Sequence, residues 1–386
     1  MVYLFIFFFL IFLLFFPKIF LFLYLMVRYI GNISKIKNIV FFDFVVFLYC
    51  SLSLAFMIAN RPYYLGKEIG FGEDMFHYYN AFYWVINNDF SIFIKDFSMI
   101  TNLTGSSEPV FWLIVKIFSF FTNSEYTIHI LLTLLGCYFI FLAGQIWSKS
   151  GLLFLFFYTN TITFFAFQGS AIRSGLAFCT AMLGYSLFLK NKLKIINFLS
   201  PLIHFSMIPM PLITYVGKVD YKNPKKVAAL FFISLIVILS FTFIALKSVD
   251  AGLGAKLAAR VTENELDISS IIQFFIESIL TIFIVFYFFK NKIDKSLKIS
   301  FMSFFLVAIL LLLISPTAFA RFYRYEYIFL IFIYSSIFLN SSKYIKTLIL
   351  LLSLLWFIFI GLDRFVGVFA ENIFDFIGYN LIFRFN

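Results

Sequence analysis

The stretch TIHILLTLLGCYFIFLAGQIW, residues 127–147, decides the fold class of this chain. It contains no Asp, Glu, Lys or Arg, and a run of about 20 predominantly apolar residues is long enough to cross a bilayer as an α-helix. Comparable runs recur on both sides of it, separated by short polar segments. The sequence therefore predicts an all-α, polytopic transmembrane helical bundle of about 10–12 spans. The predicted spans lie near 3–27, 38–59, 127–147, 151–168, 171–189, 227–246, 270–289, 299–315, 319–339 and 345–362.

The composition excludes an ordinary soluble domain. Hydrophobic residues make up 63% of the 386 residues and charged residues 13%, whereas soluble domains are about half apolar and a quarter charged. The net charge of +11 comes largely from Lys clusters in short loops, which is the pattern of cytoplasmic loops and not of a nucleic-acid-binding face. We expect a single multi-pass membrane domain over residues 1–386, with no nucleic-acid partner.

Several kinds of chemistry have no sequence signature here. Cys50, Cys137 and Cys179 lie inside apolar segments and lack the spacing of a zinc site or a disulfide framework. The chain also lacks the glycine-rich motifs of nucleotide-binding sites. We therefore expect no cofactor and no bound metal. The first apolar run lacks a small-residue cleavage site and is interpreted as a retained span.

One predicted crossing is interrupted. Pro201, Pro209 and Pro211 fall inside the apolar segment 195–216, and proline breaks a helix because it removes a backbone donor and clashes with the preceding turn. Lys clusters flank this segment on both sides, so the positive-inside rule favours a segment that enters the membrane and returns. A fully spanning, kinked helix is the alternative.

The resulting topology predicts external loops. Residues 60–126 are expected outside the cytoplasm as a loop region with short amphipathic helices, and residues 247–269 are expected there as a second loop. No external segment is long enough to fold as a soluble domain on its own.

Ionisable residues at membrane depth are costly and are therefore functional candidates. The first group is QGSAIRSGLA, residues 168–177, in which Gln168 precedes Arg173 at the start of an apolar helix. A guanidinium beside a helix N-terminus attracts phosphate in two ways, and Gly169 and Gly175 would permit close approach to the backbone. The alternative is that Arg173 anchors the helix at the membrane interface.

A second basic group lies in RFYRYE, residues 321–326. Arg321 and Arg324 are three residues apart, and Tyr325 is four residues from Arg321, so a helix would bring them to one face. Two guanidinium groups on one face suit a doubly charged anion such as a diphosphate. An aromatic and basic belt at the lipid headgroups is the alternative.

Two further groups combine polar and aromatic residues. His204 lies between the prolines of the broken segment, where it could carry protons, bind a sugar hydroxyl or contact phosphate, or simply pack. Glu73 and Asp74 precede Tyr78 in the first external segment. These carboxylates could serve as a general base or bind a metal, although a solvated acidic turn is the alternative.

The run Ala171–Ala177, the basic loop after it and the segment around His204 together resemble bacterial polysaccharide polymerases of the Wzy-type, EpsG-like family. Asp74 to Tyr78, followed by Glu108-Pro109, looks like the first external loop of these proteins. The segment from Arg321 to Tyr325 is similar to their late Arg/Tyr segment. The resemblance covers roughly residues 40–340.

The resemblance implies a glycosyltransferase in the bacterial cytoplasmic membrane with its active site facing the outside. It would join oligosaccharide repeat units carried on undecaprenyl diphosphate, using Arg173, His204 and either Asp74 or Glu73 as catalytic residues. Expected partners are the lipid-linked oligosaccharide, membrane lipid, a chain-length regulator and a flippase. The residues expected to bind substrate are Arg321, Arg324, Tyr325, Tyr78 and Gln168.

Two other functions remain open on the sequence. A lipid-linked oligosaccharide flippase would expose charges along a central cavity, whereas the charges here cluster at one side. An O-antigen ligase, or another membrane glycosyltransferase that uses lipid-phosphosugars, is the alternative among enzymes. A ligase needs a large late external loop, for which 247–269 is short.

Overall fold

The computed structural model describes residues 16–31, 39–59, 73–105, 108–169, 171–217, 268–314, 319 and 322–364. This part of the chain is helical and contains no β-strand, which confirms the all-α class predicted from the sequence. Its α-helices are α1 (Pro17–Tyr29), α2 (Ile39–Ala59), α3 (Glu73–Asn87), α4 (Phe90–Lys95), α5 (Phe97–Thr104), α6 (Pro109–Ser119), α7 (Glu125–Ser148), α8 (Gly151–Thr159), α9 (Ile162–Gly169), α10 (Ile172–Leu189), α11 (Leu199–Ile203), α12 (Pro209–Val216), α13 (Ile268–Phe283), α14 (Lys295–Ile314), α15 (Glu326–Leu339) and α16 (Lys343–Arg364).

Four helices in the described part are long and apolar enough to cross a membrane. These are α2, α7, α10 and α14, and the bent pair formed by α8 and α9 would make a fifth. The chain is therefore a polytopic membrane protein. The predicted number of about ten spans stays a prediction, because 227–246 and much of 3–27 lie outside the described residues.

The predicted span 151–168 is not one straight helix. The axes of α8 and α9 differ by 83° at the break between them. Polar groups satisfy the backbone there: buried Lys18 donates to the carbonyl of Thr159 at 2.7 Å, and the hydroxyl of Thr161 accepts from the amide of Phe164 at 3.2 Å. The bond from Phe164 to Thr161 is local and competes with helix continuation, and the distant Lys18 satisfies the carbonyl of Thr159 at the break.

The helix α10 occupies the centre of the bundle. It packs against α7, α9 and α11, and every one of its residues is buried except Arg173 and Leu189. Gly175 permits its close approach to α9, because a Cβ there would lie 3.1 Å from the backbone of Phe167. By contrast, α2 exposes large apolar side chains, as expected of a helix that faces lipid.

The segment with the three prolines is divided into short helical pieces. A 3₁₀ turn, Lys194–Phe198, leads into α11, and a second 3₁₀ turn, Phe205–Met207, leads into α12. Between them His204 is extended, with φ −154° and ψ 121°. Whether this broken segment re-enters the membrane stays a prediction.

The structure describes most of the first predicted external loop, 60–126, but little of the second, 247–269. The helices α3 to α6 fall within 60–126, and residues 60–72 of that region lie outside the described residues. Nearly all of 247–269 also lies outside them. The external position of both regions stays a prediction.

Candidate functional site

Arg173 lies at the first turn of α10 and is the centre of a polar cluster. Its Nε donates to the hydroxyl of Tyr78 at 2.5 Å, and its Nη1 donates to Oε2 of Glu108 at 2.5 Å. The Arg173 side chain is 15% exposed. The cluster is therefore largely enclosed while remaining accessible from one side.

Glu108 joins Arg173 to His204. It directly precedes Pro109, the first residue of α6, and has an extended backbone with φ −76° and ψ 105°. Proline disfavours the helical conformation for the residue before it, so the helix begins only after Glu108. One carboxylate oxygen contacts Arg173, and the other lies 2.8 Å from Nδ1 of His204. A buried carboxylate needs such partners to offset the loss of its hydration.

His204 reaches this carboxylate from the break between α11 and the following 3₁₀ turn. Its imidazole is 18% exposed. The extended backbone at this position interrupts the helix, and the neighbouring Ser206 shares a hydrogen bond of 2.6 Å with the hydroxyl of Tyr325. The proline-broken segment therefore places His204 against Glu108 and Ser206 against Tyr325.

Tyr78 is set by aromatic packing. Its ring contacts Phe111 and Trp112 of α6, with ring centroids 6.1 and 6.2 Å away. The guanidinium carbon of Arg173 lies 5.4 Å from the centre of the same ring, which is within the range of a cation–π contact. The aromatic contacts between α3 and α6 thus hold both partners of Arg173 in place.

Gln168 does not belong to this cluster. Its side chain is fully buried and donates to the hydroxyl of Tyr158 at 2.9 Å, with the thiol of Cys179 at 3.7 Å. These side-chain contacts of Gln168 are internal, and the substrate contact predicted from its sequence position stays a prediction.

A buried histidine contacts the backbone of Gln168. Nε2 of His129 lies 2.7 Å from the carbonyl oxygen of Gln168, and Nδ1 lies 3.1 Å from the hydroxyl of Tyr79. Because a carbonyl can only accept, Nε2 carries the proton. His129 therefore links α3, α7 and α9, the helices beside Arg173.

Within the late Arg/Tyr segment, residues Tyr323–Tyr325 form a 3₁₀ turn and α15 begins at Glu326. Because Arg321 lies outside the described residues, the shared face of Arg321, Arg324 and Tyr325 stays a prediction. Tyr325 is buried against Ser206 and Phe167, whose ring centroid is 5.5 Å away. The guanidinium of Arg324 lies 6.0 Å from the ring of Tyr323.

Three predicted residues cannot be placed as side chains. Arg321 lies outside the described residues, and so do the side chains of Glu73 and Asp74, although α3 begins at Glu73. Within the described part of the chain, no three His, Cys, Asp or Glu residues come together as a metal site would require. Roles for these three residues stay predictions.

Sequence reasoning gave little weight to Glu108 and none to His129. The signal for Glu108 was a carboxylate directly before a proline in the predicted external region 60–126. The signal for His129 was a histidine within an otherwise apolar span. Both are recognisable only once their distant partners are known.

A family model described as the EpsG family matches residues 63–381, which is most of the chain. The chain belongs to the EpsG family. It is thus a membrane protein of a family associated with polysaccharide biosynthesis.

Similar curated proteins also come from polysaccharide systems. This EpsG-family chain is 24% identical over 345 residues to the EPS I polysaccharide export inner membrane protein EpsF of Ralstonia nicotianae, covering 83% of this chain and 81% of that protein. The protein of the same name from Ralstonia solanacearum is 24% identical over 344 residues, with the same coverage. No solved structure gives a significant match.

Proposed function

We propose that this EpsG-family protein is a polysaccharide polymerase, an inverting-type glycosyltransferase of O-antigen, capsule or exopolysaccharide assembly. It joins oligosaccharide repeat units carried on undecaprenyl diphosphate at the outer face of the bacterial cytoplasmic membrane. The supporting observation is the cluster in which Arg173, Glu108, His204 and Tyr78 come together from four separate elements. Ionisable groups at membrane depth carry a cost that function commonly explains.

The chemistry fits a lipid diphosphate as leaving group. In the reaction the growing chain leaves its lipid diphosphate and is transferred to a hydroxyl of the next unit, so negative charge develops on the diphosphate. A guanidinium fixed in advance stabilises that charge without reorganising, and Arg173 supplies one. Arg324 and Arg321 are the further cations we assign to the diphosphate, with Tyr325 and Tyr78 as binding residues.

Glu108 sets the state of Arg173 before substrate arrives. Its carboxylate neutralises the buried guanidinium, which would otherwise be left uncompensated. An incoming diphosphate is a stronger multivalent acceptor and would compete with the carboxylate for the planar N–H fork. On binding, the guanidinium of Arg173 is therefore shared between the diphosphate and Glu108.

The test is polymer length in a strain that lacks the native gene and is complemented with variants. Arg173→Ala is expected to abolish long polymer, since removing one charge-stabilising donor costs about 10²–10³ in rate. Arg173→Lys keeps the positive charge beside Glu108 and is expected to fold normally, yet to produce short chains because Lys lacks the bidentate fork.

Arg28 provides the matched control. Its side chain is 11% exposed and pairs with Asp43 at 3.1 Å, so its burial resembles that of Arg173. Arg28→Lys is expected to leave chain length unchanged. Normal chain lengths from well-expressed Arg173→Lys and Arg173→Ala proteins would remove Arg173 from the mechanism.

A second candidate follows from the names of the relatives, which speak of export. A flippase for lipid-linked repeat units would share the lipid diphosphate substrate. The two functions differ in what accumulates when the gene is deleted: single repeat units outside the cytoplasmic membrane for a polymerase, and inside for a flippase. Accumulation on the inner leaflet would replace the polymerase assignment with transport.

A further inference from the structure

We infer that Glu108 and His204 act as a carboxylate–imidazole pair in which Nε2 of His204 takes the proton of the acceptor hydroxyl. The inference rests on the proposed polymerase function and names the residue that activates the acceptor. It assigns to His204 the role of general base that the sequence left to Glu73 or Asp74. The pairing distance of 2.8 Å between Nδ1 of His204 and Oε1 of Glu108 carries the argument.

The protonation of the pair follows from its neighbours. Oε2 of Glu108 accepts from the guanidinium of Arg173 at 2.5 Å, which favours the ionised carboxylate. An ionised carboxylate can only accept hydrogen bonds, so Nδ1 of His204 carries a proton. In the neutral imidazole the lone pair then belongs to Nε2, the nitrogen that a base uses.

Glu108 is more deeply buried than His204, as expected if His204 is the base and Glu108 orients it. Glu108 is only 4% exposed, so its charge is poorly screened and orients the imidazole strongly. The His204 side chain is 18% exposed, and the extended backbone at the helix break carries it to the edge of the cluster. A buried carboxylate behind a more exposed imidazole is the arrangement that holds a histidine in one tautomer and stabilises the imidazolium that forms.

The proposed step balances in charge and atoms. The proton of the acceptor hydroxyl moves to Nε2 of His204 as its oxygen forms a bond to the anomeric carbon of the growing chain. The bond from that carbon to the diphosphate oxygen breaks, and the lipid diphosphate keeps the electron pair. Positive charge forms on His204 beside Glu108, and negative charge forms on the diphosphate beside Arg173. Both new charges thus meet a group that is already in place.

Other charged and titratable groups adjoin this pair and enter any pH dependence. Arg173 lies across Glu108, and the hydroxyl of Tyr78 accepts from Arg173. Tyr325 approaches through Ser206, two residues from His204, and Arg324 precedes Tyr325. Arg173 opposes a positive charge on His204, whereas Glu108 favours it.

The experiment uses full-length protein in nanodiscs. The substrate is the lipid-linked single repeat unit extracted from the deletion strain, and single-turnover chain extension is measured as a function of pH. The wild-type rate is expected to fall on the acidic side as one group protonates. His204→Gln is expected to lower the rate about 10²–10⁴-fold and to remove that acidic limb. Glu108→Gln is expected to lower the rate as well, because the neutral amide no longer stabilises the imidazolium that forms on His204.

A binding assay distinguishes failure of the general-base assignment from failure of the polymerase function. Undecaprenyl diphosphate in vesicles serves as the probe, and His204→Gln should bind it like the wild type, whereas Arg173→Lys should bind it less well. A wild-type protein without an acidic limb, or a His204→Gln variant that retains the limb, would overturn the inference. Loss of the limb in Glu73→Gln or Asp74→Asn with its retention in His204→Gln would transfer the role to that carboxylate. A wild-type protein that extends no chain would instead contradict the polymerase function itself.

Discussion

At the residue scale, two partly buried arginines, Arg28 and Arg173, differ in the partners of their carboxylates. Arg28 donates to both carboxylate oxygens of Asp43, which also accepts from Tyr24 at 2.8 Å. Arg173 shares its carboxylate with a histidine instead. Each of these arginines needs a carboxylate partner, because an uncompensated charge in the interior is costly. The histidine that shares Glu108 distinguishes the proposed site from the structural ion pair at Arg28.

The hydroxyl of Tyr78 offers a fine test of how Arg173 is oriented. Tyr78→Phe keeps the ring under the guanidinium but removes the bond of 2.5 Å to Nε. A hydrogen bond to a charged group contributes about 1.5–3 kcal/mol, so we expect chain extension to slow by at least about tenfold. Tyr138→Phe is the matched control, because that residue is 40% exposed on α7. Equal rates for the two variants would argue against a positioning role for the hydroxyl.

At the element scale, the sequence predicted helices more readily than contacts. The lengths of the apolar runs predicted α2, α7 and α10, and the three prolines predicted the broken segment. Both signals are local in the sequence and can be recognised without knowing any tertiary contact. The site residues Arg173 and His204 were found as costly polar groups. Their link through Glu108 joins residues 65 and 96 positions apart, and no local pattern encodes a contact at such a separation. The break between α8 and α9 also depends on distant Lys18.

His129 connects three helices, and its replacement tests how much that connection contributes to stability and activity. His129→Leu removes the bonds that tie α3 and α9 to α7. Disrupting buried hydrogen bonds costs about 1–3 kcal/mol for each group left unsatisfied. We expect a lower unfolding temperature in detergent and slower chain extension, because the turn before Arg173 loses its support.

A control for this variant lies one turn further along the same helix. The hydroxyl of Thr133 is fully buried and finds no hydrogen-bond partner in the described part of the chain. Thr133→Val should therefore be neutral or stabilising in the same thermal assay. Equal losses of unfolding temperature in His129→Leu and Thr133→Val would mean that any change in the packing of α7 lowers the stability, with no special role for the His129 hydrogen bonds.

At the scale of the whole molecule, the ends of the central helices agree with one orientation. Arg173 begins α10, and the Lys cluster at 190–194 follows its other end. Its 18 residues rise about 27 Å, close to the thickness of the hydrocarbon core. The start of α15 is tied to the His204 segment through Tyr325, and Lys residues follow its end at 343–346. The positive-inside rule then predicts that the Lys-bearing ends face the cytoplasm and that the site lies at the opposite face.

Cysteine labelling tests this orientation directly. The natural residues Cys50, Cys137 and Cys179 are buried, so their replacement by Ala gives a background that should still make native-length polymer. In spheroplasts, a membrane-impermeant maleimide is expected to label Asn123→Cys, which is exposed just before α7 on the side of the site. Lys192→Cys and Tyr344→Cys, also exposed, should react only after the membrane is permeabilised. Labelling of Lys192→Cys in sealed spheroplasts would put Arg173 at the cytoplasmic face, where externalised lipid-linked repeat units do not occur, and would end the case for an external polymerase site.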